Sequence, residues 1–218
     1  MEQQYKYKKW VCIGLFLIAM IVCFTTGCEK KEYLSGDIEG YHYEETDEVT
    51  NYVKLTTNHD QVILFELYPD EAPITVENFQ NLVKDEFYDG IIFHRVDEDF
   101  VIQAGDPTGT GMGGSGKTIR GEFASNGVEN SIKHEAGVLS MARGSDYDSA
   151  SSQFFICTSD SLSASALDGD YAAFGRVIAG MDAVLEIASV EVDDNERPIS
   201  AQRIETMRFV HISENTEE

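Results

Sequence analysis

Cysteine and proline are scarce in this chain, bases are outnumbered, and no apolar run is long. There are four Cys and four Pro in 218 residues. So few prolines exclude a Pro-rich linker protein, and one Trp with eighteen Gly points away from the fibrous classes. Sixteen Lys and Arg stand against 39 Asp and Glu, a formal charge of −23. Such a surface repels phosphate backbones, which excludes a generic nucleic-acid interface, and the acidic surplus reads as solubility. The histidines at 42, 59, 94, 134 and 211 include no closely spaced metal-binding pair. No Ser-His-Asp arrangement with nucleophile-elbow glycines is evident, and there is no internal repeat. The length allows one generous domain or two small ones.

What is present begins with an export signal. Lys6, Lys8 and Lys9 precede the uncharged run Trp10 to Phe24, 15 residues long. A membrane-spanning helix needs about 20, so residues 1–27 read as a signal peptide. Thr25-Thr26-Gly27-Cys28 resembles a bacterial lipobox, with Thr25 where an aliphatic residue is usual. It implies a mature chain starting at a diacylated Cys28, anchored on the extracytoplasmic face of the cell membrane. An uncleaved signal anchor and a simple secreted protein are the alternatives. Losing residues 1–27 removes three Lys and one Glu and takes the charge from −23 to −25. Cys28 and Cys157 are then the remaining cysteines, so no disulfide framework or cysteine metal site is available. Cys157 ends the apolar run Phe154-Phe155-Ile156 and reads as a buried thiol. Residues 28–50 are polar and acidic and read as a tether, with His42 facing solvent. Residues 51–213 read as one domain and 214–218 as an acidic tail.

Within the domain the pattern is mostly β. Val62 to Tyr68 is apolar on both faces, as in a strand covered on both sides. Tyr52 to Thr56 pairs with it across the turn Asn58-His59-Asp60. A helix follows, opened by Pro73 with Thr75 as its cap, and Val76, Phe79 and Val83 recur at helical spacing. Further strands are expected at Ile91 to Val96, Phe100 to Gln103, Val138 to Met141, Gln153 to Cys157, Tyr171 to Val177 and Arg203 to Val210, with a second helix at Met181 to Ala188. Residues 105–131 read as loop rather than core, and Ser159 to Gly169 likewise. Eight strands and two helices, without room for helical crossovers, exclude a doubly wound fold.

Gly111 to Thr118 matches the phosphate-loop pattern GxxxxGK[ST]. That chemistry needs a strand before the loop and a helix opening after it, whose N–H groups converge on the phosphate. Here Asp106-Pro107-Thr108-Gly109 precedes and Ile119-Arg120-Gly121 follows, so a turn-rich flap is expected and nucleotide binding is disfavoured.

The other constellation is Phe93-His94-Arg95-Val96, then Phe100-Val101-Ile102-Gln103, then Ser151-Ser152-Gln153-Phe154-Phe155-Ile156, then Leu167-Asp168-Gly169-Asp170-Tyr171. Strand alternation can put an Arg and a Gln on one face with aromatic rings. His94 should point the opposite way and is read as a hydrogen-bonded structural residue. Together with APITVENF, QAGDPTGTG, LSMAR and AAFGRV, in this order, these segments resemble the cyclophilin family of peptidyl-prolyl cis-trans isomerases over residues 51 to about 210. The resemblance implies a closed eight-stranded antiparallel β-barrel capped by two α-helices. It implies catalytic roles for Arg95, Gln103 and Phe100, and substrate contacts from Val101, Ala142, Arg143, Phe155, Leu167 and Tyr171. Val101 stands where many members have Met, Arg143 where many have Asn, Ala166 where several have Trp, and Tyr171 where many have His. No cofactor or metal is implied, and X-Pro segments of exported chains are the implied partners of a monomer. Two alternatives remain beside an active isomerase: a proline-peptide-binding scaffold without useful turnover, and the disfavoured nucleotide enzyme.

Overall fold

The computed structural model describes residues 33–214; the signal-peptide, Cys28 and most of the acidic-tail assignments lie outside the described residues. Alternation of Val53 and Leu55 with polar neighbours builds the strand β3 (Tyr52–Thr57), and the both-faces-apolar run builds β4 (Val62–Leu67). They pair antiparallel with Val53 opposite Phe65 and Leu55 opposite Ile63. Asp60, at φ 60°, takes the left-handed position of the turn between them, a conformation that Asp tolerates better than most residues. After the helix α1 (Pro73–Lys84) come β5 (Arg95–Asp97), β6 (Val101–Ala104), β7 (Val138–Met141), β8 (Phe154–Cys157), the short helix α2 (Leu162–Ser165), β9 (Ala173–Ala179), the helix α3 (Met181–Ala188) and a long β10 (Ile204–Glu214). The main core lies between sheet and helices: Phe79 of α1 meets Tyr88, Phe154 and Phe174 with ring centroids 5.0 to 5.5 Å apart.

Four expectations are corrected. First, residues 35–46 of the supposed tether are folded. They form β1 (Ser35–Ile38) and β2 (Tyr41–Thr46), joined by Glu39 (φ 46°) and Gly40 (φ 85°), as two-residue hairpin turns of the primed kind require. Tyr43 points into a satellite cluster with Leu64, Ala179 and Val210, while Glu44 points to solvent. The hairpin pairs with β10 from Phe209↔Thr46 to Glu214↔Tyr41.

Second, the sheet has ten strands in the order β1-β2-β10-β3-β4-β9-β7-β8-β6-β5, and its hydrogen-bonded ladder does not close. The reason lies in residues 90–94. The expected strand from Ile91 shrinks to Arg95–Asp97, and the gap to β10 is spanned by a single bridge, Ile92↔Arg203, with flanking bonds Phe93 N–H to Gln202 and Ile204 N–H to Ile91. Third, Thr75 is not the cap of α1. The N-cap is Ala72, without a side-chain bond, and the buried Glu122 accepts from Ile74 N–H, Thr75 N–H and the Thr75 hydroxyl at 2.7 to 3.0 Å. A remote carboxylate thus satisfies donors that helix starts leave open, at the end where negative charge is favoured. Glu122 belongs to the stretch read as pure loop, and its neighbours Ile119 and Phe123 also enter the core. Fourth, α2 is a third helix, capped by Ser161 accepting from Ala164 N–H, where only a loop was expected.

Candidate active site

Strand register assembles the site. Arg95 on β5 pairs with Gln103 on β6, Gln103 with Phe155 on β8, and Phe155 with Ser140 on β7. Directly paired residues share a face, so Arg95, Gln103 and Phe155 form one row across three strands. Phe100, in the turn before β6, brings its ring 5.5 Å under the Arg95 guanidinium. Leu167 and Tyr171 come from the turns after α2, where Tyr171 N–H bonds to the Leu167 carbonyl. All nine residues singled out by the sequence line one cavity of about 240 Å³. Phe155 is its buried floor, 4% exposed, with Tyr171 edge-on at 5.9 Å.

Arg143 lies among three aromatic rings. Its guanidinium lies 4.7 Å from the Tyr171 ring centre, 5.0 Å from Tyr147 and 5.1 Å from Phe123. Nε donates to the Asp170 carbonyl and Nη1 to the Gly144 carbonyl. With Gln103 and Ala142 it also lines a second cavity of about 560 Å³, roofed by the Gly111 to Gly116 loop.

Gln103 and Arg95 have different side-chain partners. Gln103 Nε2 donates to Gln153 Oε1 at 2.8 Å, and Gln153 Nε2 donates to the carbonyls of Gly111 and Gly113. The Gly-rich loop is thereby tied to the strand row. Arg95 instead donates from Nε to Glu196 Oε2 at 2.6 Å. Sequence reasoning did not find Glu196. It is 101 positions from Arg95, and nothing but an Asp-Asn-rich turn marks its segment.

The segment that carries the phosphate-loop pattern folds against a carboxylate of the chain itself. The N–H groups of Thr108, Thr110, Gly111 and Gly113 all donate to the Asp106 carboxylate. A negative group of the chain itself thus engages converging N–H groups, those of Gly111 and Gly113 inside the pattern and those of Thr108 and Thr110 before it. Burial pushes the Asp106 pKa up, but these bonds outweigh it and hold it well below the usual carboxylate range.

Two buried histidines flank the site. His94, expected to be a hydrogen-bonded structural residue, is buried beside Gly111 with neither ring nitrogen hydrogen-bonded to the protein, and burial lowers its pKa. His134 stacks beneath Phe155 at 6.1 Å, and its ring lies 3.0 Å from both Asp168 Oδ1 and Ser140 Oγ. An ionised Asp168 can only accept, so Nδ1–H donates to it and the neutral Nε2 accepts from the Ser140 hydroxyl. This Ser-His-Asp relay escaped the sequence because its members come from three separate segments. Ser140 is fully buried, so the relay supports the pocket floor rather than attacking a substrate. Cys157 is the buried free thiol expected, its pKa pushed up to about 12 by burial. Among the described residues no group of His, Cys, Asp and Glu is arranged to hold a metal ion.

The comparisons with known proteins agree on one family. The family described as cyclophilin type peptidyl-prolyl cis-trans isomerase/CLD matches residues 52–209. The peptidyl-prolyl cis-trans isomerase ppi1 of Schizosaccharomyces pombe is 43% identical over 143 residues, covering 65% of this chain and 88% of that protein. A peptidyl-prolyl cis-trans isomerase of Acinetobacter baylyi is 46% identical over 141 residues, covering 63% of this chain and 72% of that one. Among solved structures, a Cryptosporidium parvum cyclophilin type peptidyl-prolyl cis-trans isomerase, crystallised in the presence of the dipeptide Ala-Pro, has a TM-score of 0.65 and 32% identity, covering 72% of this chain and 97% of that one. The row Arg95–Gln103–Phe155 thus stands in a domain whose fold and sequence both place it: the chain belongs to the cyclophilin-type peptidyl-prolyl cis-trans isomerases.

Proposed function

We propose that this protein rotates X-Pro bonds of exported polypeptides in the 240 Å³ cavity, with Arg95 as the catalytic residue, while held to the outer face of the cell membrane by lipid on Cys28. One observation carries the mechanism: a guanidinium at the rim of an apolar cup floored by Phe155. The imide bond resists rotation because the nitrogen lone pair is delocalised into the carbonyl, and uncatalysed exchange takes about 10 to 100 s. As the bond twists, the pair returns to nitrogen and becomes an acceptor. The Nη groups of Arg95 donate to it then, and hold the twisted state more strongly than either planar one. Arginine suits the task because it stays charged and its donors form a rigid fork. Phe100, Val101, Phe155, Leu167 and Tyr171 grip the pyrrolidine ring and exclude water. In this reading the Gln103 side-chain oxygen and the Ala142–Arg143 backbone meet the peptide. Nothing covalent and no proton abstraction is needed.

The test is isomerisation of an Ala-Pro tetrapeptide by the wild type and by Arg95→Ala. Loss of roughly a hundred-fold or more in kcat is expected, the scale of removing one donor to developing charge. Equal rates would remove Arg95 from the mechanism. Tight peptide binding by both proteins without turnover would establish the scaffold alternative instead.

A further inference from the structure

Arg95 sits on a three-residue strand at the end of the ladder, with its side chain 35% exposed. A long side chain in that setting loses entropy when it is held in one geometry, so something must fix it before catalysis. Gln103 spends its amide on Gln153, and the Asp97 carboxylate, 4.0 Å from Nη2, is beyond hydrogen-bond reach. Among the described residues Glu196 supplies the side-chain hydrogen bond, to Nε at 2.6 Å.

The segment carrying Glu196 is built to present it. Val192 and Pro198 form a bridge that closes the loop. Inside it the Asp193 carboxylate accepts from Asn195 N–H and Arg197 N–H, and Asp193 N–H donates to the Arg197 carbonyl. Val96, next to Arg95, donates its N–H to the Glu196 carbonyl at 2.7 Å, so main chain and side chain both bind the catalytic strand. The Arg197 guanidinium reaches the Gly109 carbonyl and fastens the loop to the Gly-rich segment. Glu196 itself has φ 59°, a left-handed conformation that glycine or asparagine would adopt at less cost. The bonds of the loop on either side hold it in that conformation.

We propose that Glu196 is a positioning residue of the isomerase: its carboxylate holds Nε and fixes the guanidinium plane, leaving the N–H groups of both Nη atoms for the prolyl nitrogen. Bound on that edge, Arg95 keeps its charge and its fork. The proposal rests on the isomerase function proposed above.

Glu196→Gly separates positioning from structure, because glycine suits the turn better than glutamate while lacking the carboxylate. Expected for Glu196→Gly are an unchanged or higher Tm, Ala-Pro tetrapeptide affinity within about two-fold of wild type, and kcat down about ten- to a hundred-fold, as slight misplacement of a catalytic group costs. In NMR spectra the Arg95 Nε–H resonance, sharp and slowly exchanging in the wild type, broadens or is lost. Glu196→Gln, which keeps an acceptor oxygen, recovers part of the rate. A Glu196→Gly protein with wild-type kcat overturns the proposal, as does one whose affinity falls in step with its rate. A wild type with no turnover, yet with the Nε–H resonance protected, sinks the isomerase function and the proposal with it; that result is distinct from a failed clamp.

Discussion

At the scale of single residues, the histidines beneath the site set a pH limit. His94 and His134 are both lowered by burial, which disfavours the charged ring. The unfolded chain protonates its histidines near pH 6.5, so below that it binds more protons than the fold does. Stability contributed by the neutral rings is complete above about pH 6.5 and is lost as pH falls toward the lowered native values. The carboxylates behave separately. Burial raises Asp168, but bonds from His134 and Lys133 outweigh it and leave it lowered. Its contribution, like that of Asp106, is present above about pH 4 and lost as pH falls further. Urea unfolding at pH 7, 6 and 5 should therefore show a steady decline before any carboxylate titrates. NMR titration should place the midpoints of both rings below the 6.5 of an unfolded histidine; a ring titrating at or above 6.5 in the folded protein would contradict the assignment. Because His134 carries Phe155, its eventual protonation should cost peptide affinity as well as stability.

At the scale of elements, the amino-terminal hairpin is a buttress. Lys54 on β3 is 3% exposed, pairs with Glu45 on β2, and lies 5.2 Å from the Tyr43 ring centre. At the turn, Glu39 accepts from Gly180 N–H, at the start of α3. Removing one partner of a buried pair leaves the other charge uncompensated. Glu45→Ala should thus cost about 3 kcal/mol, and Glu45→Gln with Lys54→Met far less. Urea denaturation of the two variants decides it; equal losses would show the pair contributes little. The same elements show what sequence pattern conveys. β3, β4, α1 and α3 were legible because alternation of Val53 and Leu55, or helical recurrence of Val76, Phe79 and Val83, is a local signal. The pocket residues were legible through motifs whose order matched a family. The hairpin was not, because acidic composition hid the alternation of Tyr41 and Tyr43 with His42 and Glu44. Glu122 and Glu196 were not, because each acts on a backbone or side chain dozens of residues away, and no local pattern announces a long-range carboxylate.

At the scale of the whole molecule, the family match covers residues 52–209, so the hairpin and the last residues of β10 lie beyond it. Folding residues 35–46 leaves only residues 29–34 between the proposed anchor at Cys28 and β1. Expressed with its signal in a bacterial host, the wild type is expected in the membrane fraction and Cys28→Ala in the soluble one. Unchanged retention would reject lipid on that residue as the anchor. The formal charge of −23 adds a long-range field that disfavours acidic clients at low salt. Finally, Glu44 of β2 is flanked on one side by Ser35 of β1 and on the other by His211 of β10. The beginning and end of the folded chain are thus two strands apart, so a short peptide graft could join them. New termini opened at an exposed turn such as Gly127, where no wall of the pocket would be cut, should give a circular permutant with the catalytic row intact.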